Sequence, residues 1–173
     1  MFWRHWRLRR EPVPVTQFVL TDLAGRPFRP DWDSAIYFRD GTLSVATAET
    51  VWQDGQVLRL GHFAIGTQFV GRGAGRAALL SLAAHLEAAD ADVTSIDLDL
   101  GRQLSHVDPD RLRAAREDLL QWLGVPSSKI QVTPKHGIHS GQWRVQGRWQ
   151  RQHWQVQRLP EVWARYRALA DLS

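Results

Sequence analysis

The chain has no cysteine in its 173 residues, a single methionine and two tyrosines. Without a thiol it forms neither disulfides nor thiolate metal sites, which agrees with a reducing, cytoplasmic setting. No apolar run approaches the roughly 20 residues that span a bilayer, and the first residues lack the apolar stretch of a secretory signal. Neither a transmembrane segment nor export is therefore expected. Acid is missing locally as well: no Asp or Glu occurs between Asp118 and Glu161.

The formal net charge of +4 hides a strong segregation. Residues 1–10 carry four arginines and no acid, residues 11–118 are net acidic, and residues 119–160 carry six Lys or Arg and no acid. Trp143, Trp149 and Trp154 are interleaved with that second basic block. Such a stretch suits stacking on and neutralising a nucleic acid, so 119–160 is a candidate contact for one. Equally, it suits a solvated strand face whose tryptophans point into a core. At 43% hydrophobic residues the chain can bury a core of its own. The expected organisation is a basic aromatic arm over residues 1–12 followed by a single domain over 13–173.

Alternation and turn dipeptides predict strands over Val13–Leu23, Ser34–Phe38, Thr42–Ala48 and Gln56–Ile65, with hairpins at Asp40-Gly41 and Asp54-Gly55. The last three of these, antiparallel through the two hairpins, precede a helix from Gly75 to about Ala89, with Leu79, Leu82, Ala83 and Leu86 on one buried face. Val93–Leu100 alternates as a half-buried strand, with Asp97 and Asp99 outward. Asp108 before Pro109 starts a second helix, which carries Leu112, Ala115, Leu119 and Leu123 and ends at Gly124. Strands are expected again over Ile130–Val132, Gln142–Trp149 and His153–Leu159, and a short terminal helix from Pro160 bears Trp163 and Tyr166. The sum is an α+β domain, a mixed and mostly antiparallel sheet flanked by helices.

The densest signal is FAIGTQFVGRGAGRAALL, Phe63 to Leu80, where a strand runs through a glycine-rich turn into a helix. Gly71, Gly73 and Gly75 permit a tight turn whose N–H groups converge on an anion, and the helix adds unpaired amides and its positive dipole end. Arg72 and Arg76 add formal charge. The turn is not a Walker loop, since no Lys-Ser/Thr pair follows, and it lacks the GxGxxG register of dinucleotide folds.

This segment resembles the acyl-CoA binding motif of the GNAT acyltransferase superfamily, (Gln/Arg)-x-x-Gly-x-(Gly/Ala) after a splayed strand. Gly73 and Gly75 take the two small positions and Val70 stands where the family has Gln or Arg. The resemblance covers the chain from about residue 34 and implies an acyl-CoA N-acyltransferase-like fold. It implies acetyl-CoA held by Phe63, Ala64, Ile65, Val70, Gly71, Arg72, Gly73, Ala74, Gly75 and Arg76. It implies transfer of an acetyl group to an amine, which could be a small molecule, a protein or an aminoacyl-tRNA. An acceptor base is then needed, and His62, of the residue type that titrates nearest neutrality, is the first candidate, with Glu49 the second. The tyrosine that serves the family as acid aligns with Leu120, and Tyr166 is the remaining candidate for that role. Binding without transfer, as an interaction module, is the other outcome consistent with Leu120.

A second resemblance points elsewhere. Ile96-Asp97-Leu98-Asp99-Leu100 and Gly137-Ile138-His139 are similar to motifs of archaeo-eukaryotic primases, in which paired carboxylates hold Mg²⁺ and the histidine meets a nucleotide phosphate. That family uses a third acid on a later strand, where this chain has none. His136 and His139 lack a convincing third ligand, and no metal site is assigned.

Overall fold

A computed structural model describes residues 16–29, 35–101 and 107–171. The arm over 1–12, and the start of the first expected strand, lie outside the described residues. Strands β1 (Val19–Thr21), β2 (Ile36–Asp40), β3 (Leu43–Asp54) and β4 (Val57–Ile65) lead into helix α1 (Ala74–Ala88). Then follow β5 (Ser95–Leu100), α2 (Pro109–Trp122), β6 (Gln131–Pro134), β7 (Trp143–Gln150) and α3 (Leu159–Ala170). The seven strands form one sheet in the order β1-β2-β3-β4-β5-β7-β6. Every neighbouring pair is antiparallel except β4 and β5, which α1 joins in parallel. The α+β class and the mixed, mostly antiparallel sheet are as expected.

Both predicted hairpins form, closing at Asp40↔Leu43 and Asp54↔Val57. Four strands precede the glycine turn, and the first expected one contributes the short β1, which pairs with β2. The Asp108 carboxylate accepts from the Asp110 N–H, with Pro109 in the first turn, as the sequence predicts for the start of α2.

Two expectations about packing change. Helix α1 buries Ala77, Ala78, Leu80 and Ser81 as well as Leu79, Leu82, Ala83 and Leu86, so it is enclosed on more than one face. The cause is the cover from α3 and the chain before β1. Phe18 meets Trp163 and Tyr166 edge-on, each at 4.9 Å between ring centroids, and the Phe18 N–H donates to Ser81 Oγ of α1. By contrast α2 is fully buried only near its C-terminal end, while Asp110 and Arg113 in its first half touch Trp143 of β7. Leu120 is its buried residue, 3.1 Å from where a Cβ on Gly147 would stand, and Ala115 is exposed.

The strand expected over His153–Leu159 is absent; two 3-10 turns, Arg151–His153 and Val156–Arg158, stand there. Both sides of β7 are already paired, by β5 and β6, so the chain leaves the sheet and drops Trp154 into the core beside Trp149. Neither of these tryptophans is exposed.

Candidate active site

Strand β4 keeps its pairing with β3 as far as Ile65↔Ala46 but loses β5 after Gly61↔Asp99. Between those points stands His62, with φ +53°, a conformation an L residue adopts at a cost of roughly 1–2 kcal/mol. The side-chain alternation slips there. Leu58, Leu60 and Phe63 are buried, leaving Gly61 and His62 as two consecutive residues out of the core. Strand β3 slips at the same level, where Glu49 and Thr50 stand exposed between buried Ala48 and Val51. A fork thus opens between β4 and β5, with His62 at its apex. Residues Phe63 to Ile65 keep one strand edge bonded to β3 and turn the other into the fork.

Beyond the fork the chain makes a 3-10 turn, Thr67–Phe69, and reaches the glycines. Gly71 and Gly73 have φ of +82° and +72°, and a Cβ at either would meet nothing within 4 Å, so both are there for backbone conformation beside open space. Gly75 differs: a Cβ there would stand 2.9 Å from Ile65 Cδ1, so it sets how closely α1 lies on β4. Gly73 is the N-cap of α1, no side chain caps it, and among the described residues no acid stands in the first turn. The first helical amides are therefore available to a ligand.

Arg76 stacks on Trp122, 4.7 Å from the ring centre, and Arg158 stacks on the same ring at 4.5 Å. Burial holds the Arg76 guanidinium below its ordinary pKa, and Arg165 and Arg158 push the same way. The start of α1 is thus electropositive through side chains as well as its dipole.

His62 also borders a cavity of about 550 Å³ over the sheet face that carries Trp52, Arg59, Asp97 and Arg148 in register across four strands. Arg59 lies over the Trp52 ring at 4.9 Å. Arg148 grips Asp97 with two hydrogen bonds, 2.6 Å from Nε and 3.0 Å from Nη2, and its pKa is raised by them. Arg59 lies 3.8 Å from Asp97 and 3.3 Å from Asp54. Arg144 lies 3.4 Å from Asp99. Asp97 and Asp99 do share one face, as their alternation predicts, but they are neither bare solvated residues nor a vacant pair of metal ligands.

The remaining candidates are dispersed. Glu49 falls level with His62, the two being the residues skipped in the β3–β4 register between Ala48↔Phe63 and Thr50↔Gly61, and it is exposed. Tyr166 is 1% exposed, donates its hydroxyl to Asp40 at 3.1 Å, and is not among the residues bordering the cavity. Burial, reinforced by Asp40, pushes its pKa up to about 12. Of the groups proposed to meet a nucleic acid, Trp149 lies in the core, and Arg151 donates to the carbonyls of Ala91 and Val93. Arg144 and Arg148 face Asp99 and Asp97. Sequence reasoning missed this arginine–aspartate ladder. Its signal was present, since Asp97 and Asp99 on one strand and Arg144 and Arg148 on another alternate on single faces.

No family model and no curated protein matches the sequence. Among solved structures the chain is similar to a GCN5-related N-acetyltransferase from Brucella melitensis, with a TM-score of 0.46 and 10% identity. The likeness covers 75% of this chain and 55% of that one, so the chain spans little more than half of that protein's length. At that level it bears on neither activity nor substrate. Among the described residues no helix is long and apolar enough to cross a membrane.

Proposed function

We propose that the chain binds acyl-CoA and acts as an N-acetyltransferase, moving an acetyl group from acetyl-CoA to an amine. The observation that carries this reading is the fork at His62, which runs directly into an uncapped, electropositive helix start. The residues present fit the group: open space at Gly71 and Gly73 admits a pyrophosphate to the first amides of α1, with Arg72 and Arg76 beside them. Val70 offers no side-chain hydrogen bond there, so recognition falls to the main chain. The free edge of Phe63–Ile65 is where an extended amide chain would pair in the manner of a strand.

Bound acetyl-CoA would supply the activated acyl group. His62 borders the cavity and takes the proton from the incoming amine, and Glu49 level with it is the second candidate for that base. Tyr166 is committed to Asp40, and Leu120 is core, so neither is offered as acid. Protonated His62 is then the group available to return a proton. The primase-like alternative needs Asp97 and Asp99 for a cation, and each instead faces an arginine.

The test is thermal shift of the full chain with acetyl-CoA and, separately, with ATP and Mg²⁺. Acetyl-CoA at about 100 times its Kd adds about 2.7 kcal/mol, a rise of roughly 5–10 °C for a chain of this size. A shift with nucleotide and Mg²⁺ but none with acetyl-CoA would overturn the reading.

A further inference from the structure

The sheet face that floors the cavity carries two cross-strand rows with opposite hydrogen-bonding states. In the row Trp52, Arg59, Asp97 and Arg148 the side chains engage one another, through the paired bonds of Arg148 to Asp97 and the stacking of Arg59 on Trp52. The next row toward the fork runs Thr50, Gly61, Asp99, Gln146 and Gln131, in register across β3, β4, β5, β7 and β6. With strands about 4.8 Å apart, Gly61 to Gln131 covers roughly 14 Å. All five residues border the same cavity as His62. Among the described residues, no hydrogen bond or ion pair engages the side chains of Thr50, Gln131 and Gln146. Asp99 faces Arg144 at 3.4 Å but accepts no hydrogen bond, and its Oδ1 is buried. Its side chain is 32% exposed, so a ligand meets the carboxylate at Oδ2. Lys129, which also borders the cavity, has no partner for its ammonium among the described residues.

These unspent groups differ in character. Asp99 only accepts, Lys129 only donates, and Thr50, Gln131 and Gln146 do both. Ligand groups that suit such a set both donate and accept, as hydroxyls do. A polycation suits it poorly, because Arg59, Arg148 and Lys129 outnumber Asp97 and Asp99 around the cavity. An anion suits it poorly too, since it would meet the Asp99 carboxylate. Trp52, 40% exposed beside the row, adds apolar surface for the C–H groups of a ring. The volume of about 550 Å³ is that of a small-molecule site.

We infer that this row is the acceptor site and that the acceptor is a polyhydroxylated amine of the amino-sugar class, with its amine at His62 and its hydroxyls on Asp99, Gln146 and Gln131. This rests on the transferase reading for the amine, though not for the hydroxyls. In the transfer the amine nitrogen bonds to the acetyl carbon as the carbon–sulfur bond breaks. His62 takes the amine proton, which then goes to the departing thiolate.

Calorimetry of the full chain, with and without saturating CoA, compares glucosamine with cyclohexylamine, which keeps the ring and the amine but has no hydroxyls. Glucosamine should bind saturably and about tenfold or more tighter, since the other ligand leaves several polar groups unmatched. Asp99→Asn and Gln146→Ala should each weaken glucosamine about tenfold. Both substitutions lie outside the core, and circular dichroism of each variant checks the fold. In acetyl transfer, glucosamine should exceed putrescine and a lysine-containing peptide by about tenfold in kcat/KM, and the two variants should erase that preference through KM. No saturable glucosamine binding, equal binding of cyclohexylamine, or binding indifferent to both substitutions would overturn the site. Preference for putrescine would overturn it as well, assigning Asp99 to an ammonium, as would preference for the peptide. Glucosamine binding that the variants weaken, in a chain that gives no acetyl-CoA shift, would sink the transferase reading and keep the polyol site.

Discussion

His62 is the residue on which most depends, because it combines a left-handed backbone conformation with a place at the cavity edge. These two properties separate experimentally. His62→Gly relieves the backbone and should leave stability unchanged or raised by up to about 1 kcal/mol, whereas His62→Ala keeps the strain. Both should lower acetyl transfer by roughly 10²–10⁴-fold while acetyl-CoA binding persists. Full activity in a folded His62→Gly chain would remove it as the base. At the neighbouring ladder, Asp97→Asn breaks a two-bonded but partly exposed pair with Arg148. Its expected cost is about 1 kcal/mol in urea unfolding, with acetyl-CoA affinity nearly intact. A large loss of affinity would place Asp97 in the ligand site instead.

At the scale of elements, the junction of β4 and α1 is set by glycines with different duties. Gly75→Ala brings a methyl against Ile65 Cδ1, the movable end of a side chain, and gains helix propensity in return, so any net loss should stay within about 1 kcal/mol. Adding Ile65→Val, which deletes that δ carbon, should recover part of the loss. Gly73→Ala meets no steric obstacle, yet φ of +72° makes it unfavourable by about 1 kcal/mol. The helix start should therefore shift, and acetyl-CoA affinity should fall with it. Much of this scale was legible in the sequence, because turn dipeptides, alternation and capping are local. Asp40-Gly41, Asp54-Gly55 and Asp108-Pro109 each specify a boundary by their own chemistry. The face slip at Glu49 and His62 was not legible, because it depends on where β5 stops pairing. His153–Leu159 misled for a related reason: its alternation is compatible with a strand, but the sheet offered β7 no free side. The three glycines announced a cradle, but only packing against Ile65 distinguishes Gly75 from the other two.

For the whole molecule, α3 is tied to the β2–β3 turn through Asp40, which accepts from Tyr166 and from Arg167 at 2.6 Å. The Tyr166 hydroxyl ionises near pH 12 in the fold against an ordinary value of 10.0. The unfolded chain therefore loses that proton first, and the stability it confers is complete below about pH 10 and lost as pH rises toward 12. Tyr166→Phe should cost about 1–3 kcal/mol at neutral pH, since the bond it removes is to a carboxylate. It should also flatten the decline in melting temperature above pH 10, and an unaltered alkaline decline would assign that titration to another group. The strand order has a further consequence at its two ends. Among the described residues, β1 offers only three positions at one margin, and β6 closes the other with Pro134, whose nitrogen has no hydrogen to donate. Neither end strand offers a passing extended segment a long row of main-chain groups, although among the described residues 49–54 of β3 run past β2 and are paired by β4 alone. The two end strands discourage fibre-like growth, while the gap between β4 and β5 keeps the strand edge that the proposed chemistry uses.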